Sequence, residues 1–538
     1  MPRLHAFAAT TLLLASVLAC GRTDRALSID QGLDSLSIDT FLGHMSALSS
    51  DAMAGRRPGT AGYDSAAAYL VRESQALGLE PGGVSGTYLQ PIDFRRATVE
   101  PSSAEFTVSD RTLVYGSDYT LSPRTTHAGV DVQAPMVFAG FGISAPGLGY
   151  DDFEGLDVVG KLVVVLSGAP DDFGSLERTV LSSSASRDAE LRARGAAGVV
   201  IVQPDDLGDG ARPRVRYAVP DDAARDTSIP EELEASAAVT QQIAERWITE
   251  AGHRPEDVLA SLRAGEPMSF DLGLTGRVRA TFSHESFESA NVAALLPGSD
   301  ERLRDEVLVL TAHLDHLGIG AKIEGDSIYN GTLDNASGSA ALLTLASALT
   351  RMEAPRRSVL FLWVTAEESG LLGSEYFARF PSIESGRVVA NQNMDGVMGM
   401  ITAATDVLAF GYEHSNLSEA VDYAVGITGT PVAPDPTPEE NLFIRSDQYA
   451  FVRQGIPAIW VQGGRSAIDP DRDAQGELDT WIVERYHKPT DDLDQPLDLE
   501  GVRRELRSNL LVTWYIVNEM GPIEWRTDSF LYRRWATE

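Results

Sequence analysis

Two adjacent acids, Glu367 and Glu368, end a long apolar run in the segment "VLFLWVTAEESGLLGSEYFA". A continuous run of this kind is typical of a strand that is buried on both faces of a sheet. Like charges at the end of a buried strand are costly unless they are paired, hydrogen-bonded or bound to a metal. The pair therefore predicts a cation at the end of this strand.

A histidine and an acid end a second apolar run, "VLVLTAHLDHLG". His313 and Asp315 are two residues apart, so in a strand their side chains lie on the same face. An acid so placed can accept a hydrogen bond from the second ring nitrogen of a ligand histidine. His316 falls on the other face and is not predicted as a ligand. The alternative for His313 alone is a structural histidine.

Three further residues lie at the ends of predicted elements. Asp334 precedes an apolar helix in "NGTLDNASGSAAL", Asp395 ends the strand "VVANQNMDG", and His487 lies in "ERYHKPTDDLD". Each has an ordinary alternative, namely a helix cap, a turn residue before glycine, and a loop histidine. As a set with the residues above, they provide the mixed nitrogen and oxygen ligands that zinc accepts.

Other sites for hydrolytic chemistry find little support in the sequence. No cysteine accompanies these residues, which argues against a structural zinc site. The sequence contains neither an H-E-x-x-H zinc helix nor a G-x-S-x-G nucleophile elbow, so a serine hydrolase is poorly supported.

Strands and helices alternate regularly after about Arg277. This order predicts an α/β fold with a mostly parallel central sheet flanked by helices. In such sheets ligands bind beyond the carboxyl ends of the strands, where the candidate residues fall. Residues 32–83 predict two helices around a Gly/Pro/Arg loop, and a β-rich stretch follows them.

Length and charge limit the class of protein. A chain of 538 residues exceeds the roughly 250–300 at which single cores stop growing, so two or more domains are expected. The net charge of -34 disfavours nucleic acid and anionic membrane surfaces as partners.

The first twenty residues have the layout of an export signal. Arg3 is followed by an apolar run from about Ala6 to Ala19, which is too short to span a bilayer. Cys20 is the only cysteine of the chain, so no intramolecular disulfide can form. "VLAC" resembles a bacterial lipobox, although Leu18 is less usual there. We expect an exported protein, anchored to the cell envelope by a lipid on Cys20 or cleaved nearby. No later segment reads as transmembrane.

Five motifs together resemble the co-catalytic zinc peptidases of clan MH, a family that includes secreted bacterial aminopeptidases and glutamate carboxypeptidases. They are "HLDHLG", "DNASGSAALL", "TAEESGLLGS", "NMDGVMG" and "RYHKPTDDLD", within residues 291–494. Residues 131–205 resemble the protease-associated (PA) domain often inserted in such enzymes. After the signal segment expected over 1–20, the resemblance implies a first part of the peptidase domain over 21–120, a PA-like insertion over 121–276 and the catalytic domain over 277–538.

The resemblance also assigns roles within a two-zinc site. It implies one zinc held by His313 and Asp395, a second held by Glu368 and His487, and Asp334 bridging both. Three further residues would act beside the metals: Asp315 would orient His313, Glu367 would be the general base, and Tyr486 would stabilise the oxyanion or simply pack. Relatives often have a cis peptide bond after the bridging acid, here Asp334–Asn335. "TLDN" departs from the family's more usual pair of acids but keeps the bridging aspartate.

The implied activity is an exopeptidase acting on peptides, and most directly an aminopeptidase. The glutamate carboxypeptidase branch carries arginines on the strand after its Gly-Ile element, whereas "GIPAIWVQGG" contains none and Arg465 lies beyond it. A carboxypeptidase or a dipeptidase stays possible. The alternatives from other classes are a receptor-like protein with this fold, which the complete ligand set opposes, and a single-zinc cyclising acyltransferase.

Overall fold

In the computed structural model, helices and strands alternate along residues 26–203, 215–219, 233–383 and 385–536, the part of the chain that it describes. The α-helices are Ile29–Asp34, Ile38–Leu48, Ala61–Ala76, Ser175–Ser182, Ser184–Ala193, Gln241–Glu250, Pro255–Arg263, Gly338–Leu349, Leu372–Arg379, Ser418–Thr428, Gln448–Val452, Ala474–Glu484, Leu499–Asn518 and Phe530–Trp535. The strands are Glu80–Pro81, Leu89–Val99, Glu105–Val108, Arg111–Leu113, Tyr119–Leu121, Gly129–Ala139, Ser144–Ala145, Tyr150–Asp151, Leu162–Leu166, Gly198–Gln203, Val215–Ala218, Ala235–Thr240, Ser269–Leu296, Glu306–His313, Gly318–Ile323, Asp326–Tyr329, Ser358–Val364, Arg387–Asn393, Val407–Phe410 and Ala458–Gly463.

Four parallel strands form the centre of the larger sheet region. Glu306–His313 pairs with Ser358–Val364 on one side and with Arg387–Asn393 on the other, and Ala458–Gly463 follows. The carboxyl ends of these strands therefore meet at one edge of the sheet. This architecture confirms the α/β fold with a parallel central sheet that the sequence predicted.

The apolar run of Ser358–Val364 is explained by burial on both faces. Phe361 and Trp363 pack into the core that contains the helix Gly338–Leu349. Their neighbours Leu360 and Leu362 enter a separate core on the other side of the sheet. Because successive side chains of a strand alternate, a strand covered on both faces must be apolar throughout.

One strand of 28 residues, Ser269–Leu296, joins two halves of the molecule. Its first part pairs antiparallel with Gly129–Ala139, and its later part pairs with Leu89–Val99. Its last residues pair with Ser358–Val364 of the central sheet. The two sheet regions are thus one hydrogen-bonded surface, which fixes the second region against the first.

The second region is itself an α/β unit. Gly129–Ala139, Leu162–Leu166, Gly198–Gln203 and Ala235–Thr240 run parallel. Two α-helices lie between Leu162–Leu166 and Gly198–Gln203, two more follow Ala235–Thr240, and the unit has a core of its own. It is more helical than the β-rich stretch that the sequence predicted, although the expected helix and buried strand over residues 187–203 are present. The PA-like identity and the exact domain bounds stay predictions.

The predicted export signal with Cys20 lies outside the described residues. Within the described ranges, no helix combines the length and the apolar character that crossing a bilayer requires.

Candidate metal centre

The candidate ligands meet at one edge of the central sheet. His313 ends the strand Glu306–His313, Glu368 follows Ser358–Val364, and Asp395 follows Arg387–Asn393. Asp334 lies in the turn before the helix Gly338–Leu349, and His487 lies in the loop after Ala474–Glu484. The convergence predicted from the sequence is therefore present in the fold.

His313, Asp334 and Asp395 form the first of two adjoining groups. Nε2 of His313 lies 3.2 Å from Oδ1 of Asp334 and 3.1 Å from Oδ1 of Asp395. The histidine is 1% exposed, and the side chains of Asp334 and Asp395 are 12% and 20% exposed, so the group is largely buried. Such a group matches the ligands implied for the first zinc.

The second group meets the other carboxylate oxygen of Asp334. Nε2 of His487 lies 3.3 Å from Oδ2 of Asp334 and 3.1 Å from Oε2 of Glu368. Asp334 thus offers one oxygen to each group, which is the arrangement expected of a bridging carboxylate. The four other predicted ligands divide between the two groups as the resemblance implied.

His316 also belongs to the second group, which corrects the prediction that it points away. Its Nδ1 lies 2.8 Å from Oε1 of Glu368 and 3.8 Å from Oδ2 of Asp334. The reason is that the strand ends at His313, so the alternation of faces does not extend to His316. A second histidine three residues after the first was the signal available in the sequence.

The contact between His316 and Glu368 lacks hydrogen-bond geometry. Both ring nitrogens of His316 and Oε1 of Glu368 are buried without a hydrogen-bond partner among the described residues. Buried polar atoms nearly always have a partner, so such orphans call for an ion or another bound group. A zinc ion accepts this combination of imidazole nitrogen and carboxylate oxygen, so the residues present fit the metal.

The histidine rings and the carboxylates of both groups shift one another's pKa values. Burial raises the pKa of Asp334, but contacts with His313 and His487 outweigh it and hold this pKa well below the usual value. Burial and Asp334 also oppose ionisation of Glu368, yet the rings of His316 and His487 lower its pKa. In turn, the acids outweigh burial and raise the pKa of His487 to about 10. The ionised acids therefore favour a positive charge among them, on the histidine rings or on a bound cation.

The pKa of Glu367 is shifted in the opposite direction from that of its neighbour Glu368. Burial, with the charges of Asp395 and Asp447, raises the pKa of Glu367 well above that of an ordinary glutamate. Asp447, which sequence reasoning missed, is fully buried, and burial raises its pKa to about 7. Adjacent acids with pKa values displaced in opposite directions have different functions in the known acid–base enzymes.

Asp315 supports the two acids through the backbone. Its carboxylate accepts hydrogen bonds from the backbone N–H groups of Glu367 (3.0 Å) and Glu368 (3.3 Å). The predicted contact with His313 is made by the carbonyl oxygen of Asp315, which lies 3.0 Å from Nδ1 of the ring. The backbone of Asp315 therefore orients the histidine, and its side chain holds the acid pair.

The turn that carries Asp334 is fixed from two sides. The buried carboxylate of Asp491 accepts from the backbone N–H groups of Leu333 (2.9 Å) and Asp334 (3.1 Å). The side chain of Asn335 donates to the carbonyl of Met394 (3.0 Å) and so ties this turn to the one that carries Asp395. The peptide bond Asp334–Asn335 is cis, which confirms that expectation.

Tyr486 packs flat against the ring of His487. Their ring centroids are 3.8 Å apart, and the planes differ by 24°. His487 has a φ of 57°, in the left-handed region that a non-glycine residue adopts at a cost of roughly 1–2 kcal/mol. Such conformations cluster at functional sites, where the surroundings hold the residue in place. The oxyanion role of Tyr486 stays a prediction, and the packing alternative is what the contact shows.

Residues 291–511 match the family described as Peptidase family M28. They carry all five metal-site motifs, so the resemblance to clan MH zinc peptidases is confirmed for this region. We refer to it below as the M28 region.

Curated relatives extend the similarity. The chain is 35% identical over 220 residues to leupeptin-inactivating enzyme 1 of Streptomyces exfoliatus, covering 40% of this chain and 45% of that protein. It is 28% identical over 258 residues to a probable leucine aminopeptidase 2 of Aspergillus fumigatus, covering 46% of this chain and 48% of that protein. The chain thus spans just under half of the length of these relatives.

A solved structure shares the fold over nearly the whole chain. The aminopeptidase from Aneurinibacillus sp. strain AM-1 aligns with a TM-score of 0.52 at 20% identity, over 94% of this chain and 99% of that one. The likeness includes residues outside the M28 region, so the fold extends beyond the matched motifs.

Arg56 holds the backbone beneath the centre. Its fully buried guanidinium donates to four carbonyl oxygens, at distances between 2.6 and 2.9 Å. These acceptors belong to Leu48, Leu314, Asn330 and Gly331. Sequence reasoning missed this residue because its partners are as many as 275 positions away.

Arg56→Met should destabilise the M28 region. Each buried carbonyl left without a donor costs about 1–3 kcal/mol, so we expect a loss of about 3–5 kcal/mol in the free energy of unfolding, measured by urea titration. Arg57→Met is the matched control, since Arg57 donates to the hydroxyl of Tyr217 (3.0 Å) and should cost only about 1 kcal/mol. Equal unfolding midpoints for the two variants would contradict the structural role of Arg56.

Proposed function

We propose that this protein is a zinc-dependent exopeptidase that removes N-terminal residues from peptides. The observation that carries the proposal is Asp334, which offers its two oxygens to two separate groups of buried ligands. The match of the M28 region to a peptidase family and the similarity of the chain to aminopeptidases support it.

The residues would hold two zinc ions. His313 and Asp395 would ligate the first, Glu368, His487 and His316 the second, and Asp334 both. Bound zinc would polarise the scissile carbonyl, acidify water and, as the largest local charge, lower the pKa of Glu367. With one ring nitrogen from His316 in addition to that of His487, the second site would be richer in nitrogen than the first.

Glu367 would transfer the protons. It lies next to a ligand, and its backbone is held by Asp315. In its ionised form it would take a proton from the attacking water and deliver it to the leaving amine. Proton transfer of this kind is worth roughly 10²–10⁴-fold in rate.

The two adjacent acids should give different phenotypes. Glu367→Gln should keep both zinc ions and lose about 10²–10⁴-fold in kcat, because only the proton acceptor is removed. Glu368→Ala should lose zinc from the second site as well as activity. Zinc content measured by mass spectrometry beside kcat separates the outcomes, and full turnover in Glu367→Gln with both metals retained would refute the assignment.

His316 should contribute to holding the second metal. His316→Ala removes a ligand nitrogen, so after extensive dialysis the zinc content should fall from two towards one per chain. The exposed His127 provides the matched control, and His127→Ala should retain both metals. Unchanged zinc content and affinity in His316→Ala would show that this ring does not bind metal.

The orientation of Arg465 favours an aminopeptidase over a carboxypeptidase. Nη1 of Arg465 donates to the carbonyls of Gly463 (2.9 Å) and Gly464 (3.1 Å), and so it is directed at its own backbone. The strand Ala458–Gly463 before it offers no arginine, as the sequence indicated.

Blocking the N-terminus of a peptide should distinguish the activities. We expect hydrolysis of peptides with a free amine, no hydrolysis of the same peptides after N-acetylation, and loss of activity with a chelator. Preference for the acetylated series would instead identify a carboxypeptidase. A protein with less than one zinc per chain and no hydrolysis of either series would support the receptor-like alternative.

A further inference from the structure

A cavity of about 810 Å³ begins at the turn that carries the two adjacent acids. Glu368, Ser369 and Gly370 line one end of it. In the same turn, the backbone N–H groups of Gly370 and Leu371 donate to the carbonyl oxygen of Glu367. Cavities of about 300–1,000 Å³ are the size that holds small ligands. A peptide whose scissile bond lies at the metal centre can therefore extend into this space.

The wall of the cavity next to this turn is apolar. Leu372 begins the helix Leu372–Arg379, Phe380 follows its end, and both line the cavity. Both also pack against the buried apolar cluster that contains Ala366. Since Ala366 directly precedes Glu367, this apolar surface adjoins the acids of the metal centre.

The second α/β unit completes the apolar surface. Val219 lines the cavity and packs against the same buried cluster as Leu372. Ala185 and Ala189 also line it, and they lie four residues apart on one exposed face of the helix Ser184–Ala193. Because these two side chains are single methyl groups, the space in front of them is open to a side chain of the ligand.

Charged side chains also line the M28 wall, but they pair with one another. Glu375 lies 3.1 Å from the guanidinium of Arg379 and 2.8 Å from that of Arg453. The three side chains are only 16–24% exposed, and separating a pair that is largely out of water is costly. We therefore expect apolar contact, and not charge, to select the ligand at this wall.

The proposed proton transfer sets the direction of the peptide. Glu367 would deliver its proton to the leaving amine, which is the backbone nitrogen of the second residue of the substrate. That residue must then lie close to the turn of Glu367, where the cavity begins.

We propose that this cavity is the subsite for the second residue of the substrate and that it selects an apolar side chain there. The inference rests on the proposed exopeptidase function and names its substrate class: peptides in which an apolar residue follows the N-terminal one. Leu372, Phe380 and Val219 would remove this side chain from water, which is the main favourable contribution of apolar contacts to binding.

The first test compares amidated dipeptides that share an N-terminal leucine. Leu-Phe-amide has an apolar second residue, Leu-Gly-amide has no side chain there, and Leu-Glu-amide and Leu-Lys-amide are charged. We expect kcat/KM for Leu-Phe-amide to exceed that for Leu-Gly-amide by about tenfold or more. Equal values for these two peptides, or a higher value for either charged peptide than for Leu-Phe-amide, would overturn the proposal.

Variants on both walls separate the subsite from a folding defect. Leu372→Ala removes apolar contact from the M28 wall, and Ala189→Trp fills the space from an exposed helix position of the second unit. Each should reduce the ratio of kcat/KM between Leu-Phe-amide and Leu-Gly-amide several-fold. Ala68→Trp, at an exposed position of the helix Ala61–Ala76, is the matched control and should leave the ratio as it is. A ratio that survives both cavity substitutions would contradict the proposal.

Exchange of the first residue tests the direction of the peptide. The ratio of kcat/KM between Phe-Gly-amide and Leu-Gly-amide should be the same in the unmodified protein and in the two cavity variants. If this ratio changes and the ratio for the second residue does not, the cavity holds the first side chain and the proposal is wrong.

A binding measurement separates this proposal from the proposed function. Calorimetry with zinc-loaded Glu367→Gln protein should show about tenfold tighter binding of Leu-Phe-amide than of Leu-Gly-amide, and addition of Ala189→Trp should remove the difference. If the unmodified protein hydrolyses neither dipeptide but this pattern of binding is present, the exopeptidase function fails and the apolar site stands. If hydrolysis occurs with equal affinities and equal rates, the apolar site fails alone.

Discussion

The mutual repulsion of buried carboxylates is the constraint on which the rest of this structure depends. Asp334, Glu367, Glu368 and Asp395 converge at one edge of a sheet in which the strand Ser358–Val364 is fully buried. Charges out of water are tolerated only when they are paired or bound to metal. The histidine rings supply part of the compensation, and the orphaned ring nitrogens of His316 indicate that a cation supplies more.

A frame of neutral and ionic hydrogen bonds keeps these acids together. The carboxylates of Asp315 and Asp491 accept from backbone N–H groups and leave the ligand side chains uninvolved. Arg56 donates hydrogen bonds to the carbonyl oxygens of Asn330 and Gly331, which precede Asp334 in the same turn. Gly331 has a φ of +56°, and a Cβ there would lie 2.6 Å from the ring of His316, so only glycine fits this turn. Supporting contacts of this kind orient the ligand side chains and affect how tightly they bind a metal.

Much of the metal centre could be predicted from the sequence because it depends on patterns within short segments of the chain. The apolar run before Glu367 requires a strand covered on both faces, and a parallel sheet brings the ends of such strands together. The orientation of His316 was predicted wrongly because the alternation of faces was carried three residues past His313, where the strand ends. Arg56 and Asp491 could not be found in this way, since their partners are distant in sequence and only tertiary packing makes them neighbours.

The account is tested most directly by a crystal structure of the zinc-loaded protein with anomalous diffraction recorded at the zinc edge. It predicts two anomalous peaks, one oxygen of Asp334 at about 2.0–2.2 Å from each, and nitrogens of His316 and His487 at about 2.0–2.1 Å from the same peak. A single peak, or two peaks of which only one contacts Asp334, would contradict it.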